Sequence, residues 1–242
     1  MPCALNMEVV MIRSSSRAAS RSRSGNHQLI KRVDFEQLES TAHSLDYGKA
    51  PSSAVDVPRI ERAVREIMIA IGEDPDREGL RRTPNRIARA YAELTAGLRI
   101  DPCAYLKTVF HENYNQIVLL RNIPFHSICE HHFLPFAGHA HVAYLPHNRV
   151  VGLSKLARMV EGFALRPQVQ ERLTDQIADA IMGCLRPLGA ICVIDASHTC
   201  MTIRGVKKPG STMVTSAIRG TFLKNQATRN ELLNLIYGSA GL

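Results

Sequence analysis

The segment His126-Ser-Ile-Cys-Glu-His-His132 concentrates side chains that bind metals. Cys129 and His132 stand three residues apart, so one turn of chain can direct both at a single ion. A thiolate and an imidazole are good ligands for zinc. Two ligands are too few, and the best third candidate is Cys200 in Ser197-His-Thr-Cys200. His198 and Cys200 lie two apart in a run that reads as a strand, which would place both on one side. A Cys-His-Cys set leaves a fourth position open, as catalytic zinc sites do. Water bound there is acidified to a pKa of about 7 and becomes a nucleophile. His131 and His198 each neighbour a ligand and suit proton transfer at neutral pH. The CxxH pair is short, and on its own it leaves a metal-free reading open.

A second cluster opens a helix at Gly152-Leu-Ser-Lys-Leu-Ala-Arg158. Ser154 reads as its N-cap, with Lys155 and Arg158 on one face of the first turn. Cations there oppose the helix dipole, so a bound anion would account for them, helped by the free N–H groups. Two solvated surface cations are the plainer alternative. Arg204, four residues past Cys200, adds a third cation near the metal ligands. A third cluster is Arg166-Pro-Gln-Val-Gln-Glu-Arg172, where Gln168, Gln170 and Glu171 read as the first turn after Pro167. Glu171 fits the dipole structurally. Its carboxylate could also accept two hydrogen bonds from the amidine edge of guanine. A water-activating metal beside a cationic patch and a base-reading carboxylate suggests hydrolysis of a nucleotide triphosphate.

The chain that must position these groups has 242 residues, 45% of them apolar and 21% charged. That is ordinary for a soluble globular protein. No apolar run approaches the roughly 18–20 residues of a membrane helix. Trp is absent and aromatics are 5%, which argues against a protein that stacks nucleic-acid bases on aromatic rings. The net charge is +8, but Arg13, Arg17, Arg21, Arg23, Lys31 and Arg32 stand against Glu8 alone in the first 32 residues. The basic character therefore belongs mostly to the N-terminus. Residues 1–55 read as a Ser/Arg-rich disordered leader that cannot bury a core. A mitochondrial transit peptide, an overextended start and an RNA-binding arm remain open for it. Of the six cysteines, Cys184 and Cys192 read as core and Cys103 has no ligand context. The pattern is that of a reducing compartment, the cytoplasm.

Apolar spacing at Ile60, Val64, Ile67, Met68 and Ile71 predicts a helix ending at Gly72. A second starts at Thr83-Pro84, with Thr83 as N-cap and a buried stripe of Ile87, Tyr91 and Leu94. Residues 56–98 thus read as a helical hairpin. Gln116–Leu120 and Gly138–Pro146 read as strands, 154–164 and 167–185 as helices, 190–201 and 213–218 as strands, and 229–237 as a last helix. Helices and strands are segregated, so the class is α+β.

With these residues in hand, the chain resembles GTP cyclohydrolase I from about residue 56 to its C-terminus. The resemblance rests on Arg82-Thr-Pro-Asn-Arg86, Cys129-Glu-His-His132 with Pro135-Phe136-Ala-Gly138, Gly152-Leu-Ser-Lys155, Arg166-Pro-Gln-Val-Gln-Glu-Arg-Leu-Thr174, and His198-Thr-Cys200 with Arg204-Gly205, in that order. It implies that Cys129, His132 and Cys200 hold Zn2+ and that His131 and His198 transfer protons, His198 serving the imidazole nitrogen of the purine. Glu171 with Gln170 would anchor the guanine and ribose end. Lys155, Arg158, Arg204 and Ser154 would hold the triphosphate, joined by Arg86 and Arg89 across a subunit boundary.

The implied reaction adds water to C8 of GTP, opens the imidazole ring, releases formate and rearranges the ribose. The ring then recloses to 7,8-dihydroneopterin triphosphate, the entry to tetrahydrofolate or another pterin. The resemblance further implies the tunnelling fold, an antiparallel sheet with two antiparallel helices packed on it, preceded by the N-terminal hairpin over 56–98. Residues 116–242 would form the catalytic part. It implies a homodecamer of two pentamers, with GTP as substrate and neither nucleic acid nor membrane as partner. Asn115-Gln116 departs from the acidic pair that many members carry there. A repurposed scaffold and a zinc-stabilised nucleotide binder without turnover are the competing readings. Retention of the Cys-His-Cys set and of His198 speaks against the first; without His198 a pure binder would lose no function, whereas a cyclohydrolase would lose turnover while still binding GTP and zinc.

Overall fold

The computed structural model describes residues 54–238. The expected leader falls outside them except for its last two residues. The first helix, α1 (Val57–Ala70), starts where Asp56 accepts the Arg59 N–H at 2.9 Å and Pro58 sits in the first turn. The second, α2 (Thr83–Leu94), is capped one residue earlier than expected. Arg82 is the boundary residue, because Thr83 already donates its N–H to Leu80 in the preceding turn. The two helices pack on each other, and Asn85 donates to Glu61 across them at 2.6 Å. The pair is too thin to bury both apolar stripes. Val64, Met68 and Ala88 are buried, Ile87, Tyr91 and Leu94 are half-buried, and Ile67 and Ile71 are 59% and 75% exposed.

Two short 3-10 turns, Ala96–Arg99 and Pro102–Lys107, lead to the sheet. Its strands are β2 (Val118–Cys129), β3 (Pro135–Leu145), β5 (Pro167–Gln168), β6 (Gly189–His198) and β7 (Met213–Gly220), in the order β5-β2-β3-β6-β7. All neighbours run antiparallel except the short parallel pair β5–β2. A separate ribbon joins β1 (Val109–Phe110) to β4 (Val150–Val151), where the Val151 N–H donates to the Tyr144 hydroxyl at 3.0 Å. Two long helices, α3 (Leu153–Ala164) and α4 (Gln170–Leu185), cover one face. Leu156, Met159, Val160 and Phe163 of α3 and Leu173, Ile177, Ile181 and Leu185 of α4 are buried there in one cluster with Phe136, Val142, Tyr144, Cys192 and Ile194. Full burial of each such side chain contributes roughly 1.5–3 kcal/mol. The opposite face carries Ala143, Ile191 and Val193 under Phe222 of α6 (Thr221–Lys224) and Leu232 and Ile236 of α7 (Gln226–Tyr237). The class is α+β, as expected.

Three of the boundaries that differ from the sequence reading bear directly on the site. Strand β2 runs through to Cys129 instead of ending near Leu120. A register shift between Leu120 and Ile123, with Asn122 at φ 57°, switches which residues face the core. Pro167-Gln168 form β5 rather than the start of a helix, since Ile128 and Cys129 of β2 pair with them. Thr199–Thr202 form a helical turn, α5, not the end of a strand. Cys200 and His198 are therefore not alternate residues of one strand.

Candidate metal and substrate site

The β2–β3 hairpin closes through the loop that carries Cys129 and His132. Cys129 donates its N–H to Leu134 at 2.8 Å, and its carbonyl accepts from Phe133 at 2.8 Å and His132 at 3.3 Å. Phe133 takes a left-handed conformation, φ 54°, which closes so tight a loop and turns His132 back over Cys129. Opposite, β6 pairs His198 with Phe136, and Thr199 donates its hydroxyl to the Pro135 carbonyl at 2.5 Å. The turn α5 then brings Cys200 to Cys129, with the sulfurs 4.0 Å apart.

The ligand atoms of Cys129, His132 and Cys200 all lie within 4.8 Å of one another. Tetrahedral zinc with Zn–S bonds of about 2.3 Å sets two sulfurs about 3.8 Å apart, so the pair fits such an ion. Arg204 Nη1 lies 3.1 Å from His132 Nε2. A guanidinium only donates, so His132 Nε2 accepts from it, and a metal ion at that nitrogen would take the place of this bond. Burial first, then the adjacent Cys129 thiol, pushes the Cys200 pKa up. The expected ligand set is thus assembled, although Cys200 arrives from a helical turn.

His198 stacks flat on Phe136, with ring centroids 4.4 Å apart and planes 6° from parallel. Its Nε2 is 2.8 Å from Gln170 Oε1. Gln170 is 1% exposed, and its amide nitrogen donates to Met213 O at 2.8 Å, Thr215 Oγ1 at 3.1 Å and Ile194 O at 3.2 Å. Burial pulls the His198 pKa down, and the charge of Glu171 opposes that shift. His131 is open to solvent, with its side chain 65% exposed and Nε2 4.0 Å from Glu130 Oε1.

The remaining expected residues lie elsewhere. Gly152, not Ser154, is the N-cap of α3, and no side chain caps that end. The extended backbone of Gly152 leaves Ser154 already inside the first turn. Lys155 follows in that turn. Arg158 lines a cavity of about 250 Å³ with His126, Glu161, Ile123 and Phe125. Arg86 and Arg89 are exposed on α2. The sequence reading missed two residues, Glu130 and Arg172, which form a two-pronged ion pair with both N–O distances 2.7 Å. They are 42 residues apart, and nothing in their spacing signals the contact. Cys192 is fully buried, as expected, and desolvation drives its thiol pKa strongly upward.

Comparison with known proteins identifies the family of the chain. The family profile described as GTP cyclohydrolase I matches residues 60–237. A GTP cyclohydrolase 1 of Pelotomaculum thermopropionicum is 60% identical over 186 residues, 76% of this chain and 99% of its own length. One of Carboxydothermus hydrogenoformans is 61% identical over 183 residues, 75% of this chain and 95% of its own. One of Rhodopirellula baltica is 55% identical over 209 residues, 86% of this chain and 91% of its own.

Proposed function

The chain belongs to the GTP cyclohydrolase I family, and on that premise we propose that it is a zinc-dependent enzyme hydrolysing GTP at C8. Formate leaves, and the product recloses to 7,8-dihydroneopterin triphosphate, the first step toward tetrahydrofolate or another pterin. The observation that carries this reading is the meeting of Cys129, His132 and Cys200 beside His198, with the two cysteines 71 residues apart in the chain. Cys129, His132 and Cys200 would hold the zinc ion, which supplies Lewis acidity and lowers the pKa of water at its open position.

The chain's own groups do the rest. His198 keeps a proton on Nε2, toward Gln170, and as imidazolium donates a second proton from Nδ1 to the imidazole nitrogen of the purine, which carries only a lone pair. His131, open to solvent, exchanges protons with bulk water. Glu171 accepts the N1–H and exocyclic amine of guanine, which places C8 rather than another carbon at the reacting position. Gln170 acts beneath it by orienting His198, not by touching the base. Arg204 holds the triphosphate near the metal residues, and Ser154, Lys155, Arg158, Arg86 and Arg89 extend the clamp. Because the triphosphate survives the reaction, cationic side chains suffice and no phosphate-cleaving loop is required.

The site is best completed by neighbouring copies. Among the described residues, no hydrogen bond or ion pair joins Ser154, Lys155, Arg158, Arg86 or Arg89 to the Cys-His-Cys group. The sheet is open at β7, and on the β2 side only Ile128 and Cys129 are covered. Exposed Ile67 and Ile71 on α1 offer a further apolar contact. These features support a tunnelling fold in which sheets join edge to edge, assembled as a homodecamer of two pentamers. No helix of the described residues is long and apolar enough to cross a membrane, and we place the enzyme in the cytoplasm.

The test is direct. Purified, metal-analysed protein is incubated with GTP, the mixture is oxidised, and neopterin phosphate is sought by fluorescence beside a Cys200→Ser variant. Fluorescence from the parent alone supports the reading. None from a zinc-loaded, assembled parent overturns it.

A further inference from the structure

The Glu130–Arg172 pair has no place in the chemistry above, yet it joins the metal loop to the helix that carries the base-reading carboxylate. We propose that Arg172 is a positioning residue: through Glu130 it holds the Cys129–His132 loop in the geometry that binds metal. The inference rests on the metal reading given above.

Four observations carry it. Glu130 lies between Cys129 and His131, so its backbone cannot move without moving both neighbours. Its carboxylate meets the guanidinium in a fork, Nη1 to Oε2 and Nη2 to Oε1, each at 2.7 Å. Such paired bonds fix orientation as well as distance. The Glu130 N–H also donates to Gln168 O at 3.0 Å, so main chain and side chain are both tied to the β5–α4 junction. Finally, Arg172 sits in the first turn of α4, where the helix dipole disfavours a cation. A cation kept there needs a partner, and among the described residues the acid that acts on it is Glu130. The guanidinium in turn holds the Glu130 carboxyl below its usual range.

The pair does not act mainly on global stability. Its side chains are 47% and 31% exposed, and ion pairs that open to solvent add little to folding. Its effect is local. Without it the loop loses its side-chain tie to α4, and Glu130 keeps only its main-chain bond to Gln168. His132 then leaves the position where it meets Cys129 and Cys200. The loop would also lose its fixed spacing from Glu171, the residue next to Arg172.

The test is metal affinity, read without turnover. Apo-protein of the parent, Glu130→Ala, Arg172→Ala, Arg172→Lys and the double alanine variant is titrated with Co2+, followed by visible absorption. Zn2+ affinity is measured by competition with a chromophoric chelator. Thermal unfolding by circular dichroism monitors folding. Loss of an outer partner of a metal site typically weakens affinity about tenfold or more. We expect that loss in each alanine variant and no further loss in the double variant. The lysine variant, with its charge but no fork, should fall between. The inference is overturned if the folded single variants bind metal within twofold of the parent, or if their losses add in the double variant. If either alanine variant unfolds, Arg172→Lys decides: parent-like affinity overturns the inference and weakened affinity supports it. A parent that binds neither ion overturns the metal reading itself, and this inference with it.

Discussion

His198 donates its Nε2–H to Gln170 Oε1 across 2.8 Å, and Gln170 has no choice but to accept. Its amide nitrogen is committed to the carbonyls of Met213 and Ile194, so only the oxygen can face the imidazole. Neutral His198 is therefore the Nε2–H tautomer, with its lone pair on Nδ1. Gln170→Leu removes that constraint. We expect turnover to fall by about 10²-fold, in the range of a misplaced acid–base group, with GTP still bound. Nitrogen NMR of the His198 ring checks the cause: one tautomer in the parent, a mixture in the variant. Stability should drop by about 1–3 kcal/mol, because two buried carbonyls lose a donor.

Metal content should follow the ligand set. Cys129→Ser, His132→Ala and Cys200→Ser each leave two of three ligands, and each should purify with less than one-tenth of the parent's zinc. Elemental analysis of gel-filtered protein reads this directly. His198→Ala should retain full zinc while losing turnover, because its ring is spent on Phe136 and Gln170 rather than on the ion.

Gly138 is required by the approach of β6 to β3. A methyl group on it would fall against the Asp195 carbonyl and only 2.5 Å from the Ala196 Cα, both main-chain atoms that cannot step aside. Gly138→Ala should destabilise by about 1–3 kcal/mol or more, as overpacking does. Since Phe136 and His198 pair two residues away in the same ladder, activity should fall before the fold is lost. Denaturant midpoints and turnover measured on one preparation test that order.

Acid should loosen the far face of the sheet. His141 is 6% exposed and its Nδ1 accepts the Asn122 N–H at 3.4 Å. Burial first, then the charge of His139 and of Arg121, lowers its pKa, while Asp195 works against them. An unfolded chain takes up this proton near pH 6.5, and the folded chain only below that. The stability is thus complete above about pH 6.5 and is lost as pH falls toward the folded value. Urea denaturation between pH 7.5 and 5 should show this slope, and His141→Gln should flatten it. The depressed carboxyl of Glu130 acts at lower pH and leaves this window clear.

The grouping of Cys129, His132 and Cys200 was legible because its chemistry is local: Cys129 and His132 share a loop, and Cys200 is flanked by His198. Their backbone was less so. The expected strand through Cys200 followed the apolar run, whereas the chain leaves β6 at His198, where Thr199 bonds to Pro135. Propensity does not encode that contact. Residues Pro167-Gln168 look like a helix start by composition, and pairing with β2 overrides it. The stripe on α2 was visible, but its half-burial depends on how little the hairpin has to pack against. Glu130 and Arg172 were silent because an ion pair between distant elements leaves no periodic trace. The bonds of Gln170 were hidden for a related reason: sequence shows an amide beside a carboxylate but not that the amide points into the protein.

Gln170, Glu171 and Arg172 follow one another, yet Gln170 reaches into the core, the charge of Glu171 acts on His198 and Arg172 grips the metal loop. Successive residues of a helix project about 100° apart, because 3.6 of them make a turn. Three adjacent positions can therefore serve three directions with no chain spent between them. The same economy makes the segment intolerant of length change. One residue inserted between Gln168 and Gln170 would turn Glu171 toward Glu130, and one deleted would put Arg172 where the charge of Glu171 meets His198. Point substitutions here can each be partial, whereas a single-residue indel dismantles every assignment together.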